Sequence, residues 1–253
     1  MSTINLTALS NTIVERDHAI ITGDGFVNSK VPGWTNCEVN VVISEEMGAN
    51  FCQLLIQLNS QGQLKGETKL SQIFLYLLEG SCDLHLDQTK SKLKKGSYVY
   101  IPIDQSYVVD NPEEGTRILT FHKKYEPLAG YKLPEVIVNH ESKADQNIYY
   151  GDPDLLIQNL LPDQDNMSFD MAVNIFTYNP GANLPFVETH IMEHGLIYLE
   201  GQGIYRLSDK WYPVKKGDCI WMAPYCPQWF GALGKEPAVY LYYKNVNRFP
   251  TVV

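Results

Sequence analysis

The chain has 253 residues, a formal net charge of −9 and 44 % hydrophobic residues. That apolar content argues for folded cores rather than disorder, and the length accommodates two domains of ordinary size. An acidic chain repels phosphate backbones and anionic lipid, which argues against nucleic acid or a membrane surface as partner.

The start of the chain, Met1 to Ser10, has neither a basic beginning nor an apolar run. A signal peptide is therefore not expected there. No apolar stretch further on approaches the roughly 18 residues of a membrane-spanning helix. The five cysteines, Cys37, Cys52, Cys82, Cys219 and Cys226, are odd in number and lack C-x-x-C spacing. This is the pattern of reduced thiols in a cytosolic protein.

Short strands are predicted at 51–58, 73–78, 97–101, 204–207, 219–222 and 239–244. Sixteen tyrosines favour strands over helices. A polar, irregular stretch at 125–147 reads as a connection. The sole predicted helix is short, over 155–161, and Pro162 stops it. The expected division is an N-terminal domain at 1–124, the connection at 125–147 and a C-terminal domain at 148–253.

The chain repeats itself. Residues 76–102 and 198–224 share a Glu-Gly (Glu79-Gly80 and Glu200-Gly201), then a Lys-Gly (Lys95-Gly96 and Lys216-Gly217) at the same separation, then a hydrophobic strand and a proline. Duplication of one unit explains this. Many short strands separated by glycine turns point to an all-β sandwich or barrel.

The order strand, Glu-Gly turn, strand, Lys-Gly turn, strand, proline resembles the cupin family, and the resemblance implies two tandem jelly-roll barrels. Cupins carry a His-x-His pair followed by a Glu, and a second motif with a His four residues beyond a Pro. In the C-terminal unit these positions hold Glu188, His190, His194 and Gln228. Glu188 and His190 are two apart on a predicted strand and point to one side. Two imidazoles, a carboxylate and an amide oxygen suit an octahedral divalent ion such as Mn²⁺ or Fe²⁺ with open positions, better than closed tetrahedral zinc. Buried polar groups in a barrel need either a metal or a dense hydrogen-bond network.

The N-terminal unit is an internal control. Its equivalent positions are Glu67, Lys69, Ile73 and Ser106, so its barrel is expected to hold no metal and to serve structure or assembly. The other histidines, His18, His85, His122 and His140, form no cluster in sequence and read as ordinary surface or core residues. On the predicted strand 239–244, Tyr240, Tyr242 and Lys244 share one face. They read either as a strand with a solvated lysine or, together with Tyr205, as the lining of a pocket that binds a carboxylate and moves protons.

The phrases ETHIMEHG, LEGQGIYRLSDKWYPVKKGDCIWMAP and YKNVNR, with VPGWTNCEVNVVISEEMGANF in the N-terminal unit, are similar to the (S)-ureidoglycine aminohydrolases of allantoin degradation. The resemblance implies a Mn²⁺ enzyme with one ion per chain, held by Glu188, His190, His194 and Gln228. It implies release of ammonia from the small molecule (S)-ureidoglycine to give (S)-ureidoglycolate, with Tyr205, Tyr240, Lys244 and Glu188 at the substrate. Whether Lys244 or Tyr240 protonates the leaving amine stays open. Plant members carry a secretory-pathway leader that this chain lacks, so the expected setting is the cytoplasm, as a homo-oligomer. Two other readings compete: an iron dioxygenase of the cupin class, against which Gln228 weighs, and a non-catalytic bicupin binding protein, against which the intact ligand set weighs.

Overall fold

The computed structural model describes residues 11–87, 89–163 and 165–249. The start read for targeting signals, Met1 to Ser10, lies outside them. The described residues fold as an all-β protein, with three-residue 3₁₀ turns as its only helical pieces. The predicted strands are present, most of them a residue or more longer at one or both ends, as at Ser71–Glu79 and Ala238–Asn245.

Two compact units interleave along the chain. One, the C-terminal barrel, gathers the described residues up to Phe26, Ile148–Ile157 and Ile175–Tyr242. The other, the N-terminal barrel, gathers Val27–Asn147, Gln158–Asn174 and the described residues from Tyr243 onward. The contiguous division expected from sequence thus gives way to an exchange of segments. The reason is hydrogen bonding at long range. His18–Ile21 pairs residue for residue with Cys219–Met222 and extends that barrel's sheet, with Ile20 in its core.

In the N-terminal barrel the sheet runs Ile137–His140, Ser97–Ile101, Ser71–Glu79, Thr116–Lys124, Cys52–Glu67, Ser106–Asp110, Ser81–Leu86, Thr89–Lys94. The long strand Cys52–Glu67 serves both ends of this order. Its first half pairs with Thr116–Lys124 and its last residues pair with Ser106–Asp110. Between them Gln61 takes a left-handed φ of 60°. In the C-terminal barrel a three-stranded sheet, Lys210–Lys215, Gln202–Leu207, Gln228–Leu233, accompanies an eight-stranded one containing His194–Glu200 and Ala238–Asn245.

Two expectations are corrected. Residues 155–161 are not helical, because the strand Asp152–Asn159 is paired between its neighbours in the sheet and sets Leu155 into the core. A short apolar run has no periodicity of its own, and sheet pairing overrides helix propensity there. The stretch 125–147 is also not wholly irregular. Its strand Ile137–His140 pairs with Ser97–Ile101 at the sheet edge.

The repeat is preserved bond for bond. The Lys95 amide donates to the Gly80 carbonyl at 3.0 Å and Gly96 to Leu77 at 2.9 Å. Lys216 donates to Gly201 and Gly217 to Tyr198, each at 2.9 Å. Gly80 and Gly201 have φ of +78° and +72°. A Cβ on Gly80 would lie 2.9 Å from the Cα of Thr116, and one on Gly201 would lie 2.7 Å from the Cα of Ala238. Only glycine combines this backbone with so close an approach.

Each barrel has its own apolar core. In the N-terminal barrel it is aliphatic, with Leu54, Ile56, Leu75, Val99 and Ile118. In the C-terminal barrel phenols replace much of the aliphatic filling: Tyr178, Tyr198, Tyr205, Tyr240 and Tyr242. Burying a side chain of this size contributes roughly 1.5–3 kcal/mol, but each phenol also brings a hydroxyl that needs a partner.

Candidate metal centre

Glu188 and Gln228 face each other across an antiparallel bridge. The Glu188 amide donates to the Gln228 carbonyl at 2.8 Å, and the Gln228 amide donates back at 2.9 Å. Residues directly opposite in such a pair extend their side chains on one side. Two residues on, the carbonyl of His190 accepts from the Tyr225 amide at 2.7 Å. That bond ties the histidine to the turn preceding Gln228. His194 opens the strand His194–Glu200, opposite Met222.

These anchors bring three of the expected ligands into contact. His190 Nε2 lies 3.3 Å from His194 Nε2 and 2.8 Å from Gln228 Nε2, and the two imidazoles meet edge to face. The Nδ1–H of His190 donates to the Met192 carbonyl at 3.2 Å. This fixes the tautomer and leaves the Nε2 lone pair facing the other two groups. Metal–nitrogen bonds near 2.1 Å at a right angle place two nitrogens about 3 Å apart. The imidazole pair therefore fits a shared ion, and rotating the Gln228 amide by half a turn presents its oxygen. Gln228 and His194 are buried, whereas Glu188 and His190 are half-buried.

Phenols surround the centre. The Tyr178 and Tyr240 hydroxyls are 2.9 Å apart, Tyr205 bonds to Tyr240, and the Tyr242 ring stands edge to face with His194. Burial pushes the phenols of Tyr178, Tyr205 and Tyr240 well above their ordinary range. The negative charge of Glu188 adds to the rise at Tyr178 and Tyr205. Such phenols hold their protons and act as hydrogen-bond donors.

Lys244 has a partner that strand periodicity did not reveal. Its ammonium pairs with Asp163 at 2.7 Å. A second grouping was also missed. Donor atoms of Asp17, His18 and Cys226 lie within 4.8 Å of one another. Both ring nitrogens of His18 are already bonded, Nδ1 to Asp17 at 2.8 Å and Nε2 to the Tyr212 hydroxyl at 2.9 Å. Burial raises the Cys226 thiol to about 11. This grouping is a closed hydrogen-bond relay whose thiol keeps its proton. No local sequence signal announces it, since His18 and Tyr212 are 194 residues apart.

Two barrels of this topology, one carrying converging imidazole and amide groups, define a bicupin with metal-site chemistry. A family model described as a cupin domain matches residues 174–243. The chain is 36 % identical to the probable (S)-ureidoglycine aminohydrolase of Oryza sativa over 98 % of its own length and 79 % of the relative's. It is 32 % identical to the (S)-ureidoglycine aminohydrolase of Escherichia coli, over 91 % and 88 %. The crystal structure of the Escherichia coli protein Ylba superposes with a TM-score of 0.86 at 29 % identity, covering 99 % of this chain and 100 % of the other. A Bacillus subtilis oxalate decarboxylase superposes with a TM-score of 0.69 at 12 % identity, covering 91 % of this chain and 78 % of that one, which is a likeness of fold. The chain belongs to the (S)-ureidoglycine aminohydrolase family, and it is an enzyme acting on a small molecule.

Proposed function

We propose that the protein releases ammonia from (S)-ureidoglycine, adding water to give (S)-ureidoglycolate, as a step of allantoin degradation. The observation that carries this reading is the meeting of His190, His194 and Gln228 at 2.8–3.3 Å in a chain 36 % identical to a named aminohydrolase. Glu188, on the same side as Gln228, completes the donor set. A divalent ion held there, Mn²⁺ in this reading, supplies Lewis acidity and open positions for substrate donors.

The substrate carries an amine, a ureido group and a carboxylate on one carbon. Loss of the amine as ammonia leaves a cation that the ureido nitrogen stabilises, and water adds at that carbon. Tyr205 and Tyr240 donate hydrogen bonds that orient the substrate, because burial keeps both phenols protonated. Lys244 lies two residues beyond Tyr242 in the strand Ala238–Asn245. Alternation puts it on the side shared by Tyr240 and Tyr242. In this reading its ammonium anchors the carboxylate or delivers the proton to the leaving amine. Tyr240 is the other candidate for that proton transfer.

The N-terminal barrel has Lys69, Ile73 and Ser106 where the C-terminal one has His190, His194 and Gln228, so the reading includes one ion per chain. The test is ammonia release from freshly generated ureidoglycine, with and without chelator. Release that persists after complete metal removal, or oxygen uptake in its place, would overturn the proposal.

A further inference from the structure

The N-terminal barrel carries an open, solvent-facing cavity of about 1040 Å³. Glu67, Lys69, Ile73 and Ser106, the counterparts of the four metal-ligand positions, all line it. Their backbone arrangement is that of the other barrel. Glu67 pairs with Ser106 as Glu188 pairs with Gln228, and Ile73 pairs with Ile101 as His194 pairs with Met222. His122 also lines the cavity. Counted from Thr116, which packs on Gly80 as Ala238 packs on Gly201, His122 is the counterpart of Lys244. The same backbone frame thus carries other side chains around this pocket, and an aliphatic core fills the barrel beneath it.

Its lining has a definite chemistry. Lys65, Glu67 and Lys69 alternate plus, minus, plus along one edge. Among the described residues, none of the three has an ion-pair partner in the protein. The opposite character comes from rings. Trp34 and His122 stand 6.4 Å apart, and the Trp34 indole N–H donates to the Tyr107 hydroxyl. Gly66 permits this wall, since a Cβ there would lie 2.8 Å from that hydroxyl. Planar walls beside two ammonium groups and one carboxylate match a flat, small ligand with both a carboxylate and N–H donors.

We propose that the N-terminal barrel is a metal-free binding site for a small carboxylate bearing N–H donors, an amino or ureido acid. Lys65 and Lys69 hold the ligand's carboxylate, and Glu67 accepts from its N–H groups. The site stands apart from the reaction proposed above and needs neither metal nor turnover.

The probe is N-carbamoylglycine, a ureido acid with no leaving amine, titrated calorimetrically into the full chain carrying His190→Ala and treated with chelator, so that the metal centre cannot contribute. The expected result is saturable binding of one probe per chain. Lys65→Met with Lys69→Met, and separately Glu67→Gln, should each weaken it about tenfold or more. Acetate and urea, which each supply half of the ligand, should bind at least tenfold more weakly than the probe. The three side chains are exposed, so these variants fold. Should the His190→Ala chain not fold, the chelator-treated parent chain takes its place, with the same three substitutions as controls. Absence of saturable binding at millimolar probe, affinity unchanged by the substitutions, or acetate binding as tightly as the probe would each overturn the proposal.

Discussion

Glu188 and Gln228 exchange backbone hydrogen bonds of 2.8 and 2.9 Å in one barrel, and Glu67 and Ser106 hold the same antiparallel register in the other. The scaffold that aims the candidate ligand side chains is thus built from backbone and is independent of what the side chains are. Substitution at these positions should change chemistry with little change in fold.

Gln228→Ala follows directly. The bridge to Glu188 uses main-chain atoms only, so the variant should fold and melt near the parent. Loss of the amide oxygen should lower metal affinity by roughly 10- to 100-fold, the range seen when a supporting metal-site group is lost. His190→Ala or His194→Ala should remove metal and activity together. Elemental analysis beside a thermal melt checks this. Two ions per chain in the parent, or full metal in either histidine variant, would refute the ligand assignment.

Lys244→Met keeps the apolar stem and removes the charge. If the ammonium anchors the carboxylate or donates the proton, ammonia release should fall roughly 10²-fold or more with metal content unchanged. Asp163→Asn removes the partner at 2.7 Å and should impair the same step less severely. Steady-state rates with a parallel metal assay decide it, and a fully active, fully metallated Lys244→Met enzyme rules out the role.

Burial holds His122 at about 4 in the folded protein, below the 6.5 of the free side chain. The unfolded chain therefore binds this proton more readily, so the histidine lowers stability as the pH falls from about 6.5 to about 4. His122→Gln should flatten the stability profile in that window. Asp83 acts lower. The hydrogen bond from Lys90 brings its carboxyl down to about 2, and its contribution is lost only as the pH drops below the usual carboxylate range. Urea unfolding across pH separates the two, and an unchanged slope between pH 6.5 and 4 in the His122 variant would contradict the assignment.

Gly201→Ala tests the turn. The new Cβ would lie 2.2 Å from the Pro237 carbonyl oxygen, on a backbone with φ of +72°. A left-handed non-glycine residue costs roughly 1–2 kcal/mol and forced overpacking roughly 1–3 kcal/mol more. A loss of about 2–5 kcal/mol is expected in chemical denaturation. Gly115→Ala, where φ is +79° but no atom lies within 4 Å, should cost only the backbone part.

By itself the sequence determined the duplication and the all-β class, and it singled out Glu188, His190, His194 and Gln228 as candidate ligands. Each is written in short-range spacing: glycines at turns, period-two strands, and candidate ligands at fixed offsets from those turns. A turn that needs positive φ, as at Gly80 and Gly201, leaves its mark at a single position whatever the rest of the chain does. Only the tertiary structure decided which segments complete each barrel, that Asp152–Asn159 is a strand, that Asp163 faces Lys244, that Asp17 and His18 close on Tyr212, and that the N-terminal barrel keeps a cavity lined by Lys65, Glu67 and Lys69. These rest on pairings between residues far apart in the chain, for which neither propensity nor periodicity carries a local signal. They are selected by hydrogen bonds and packing that exist only once the strands have met.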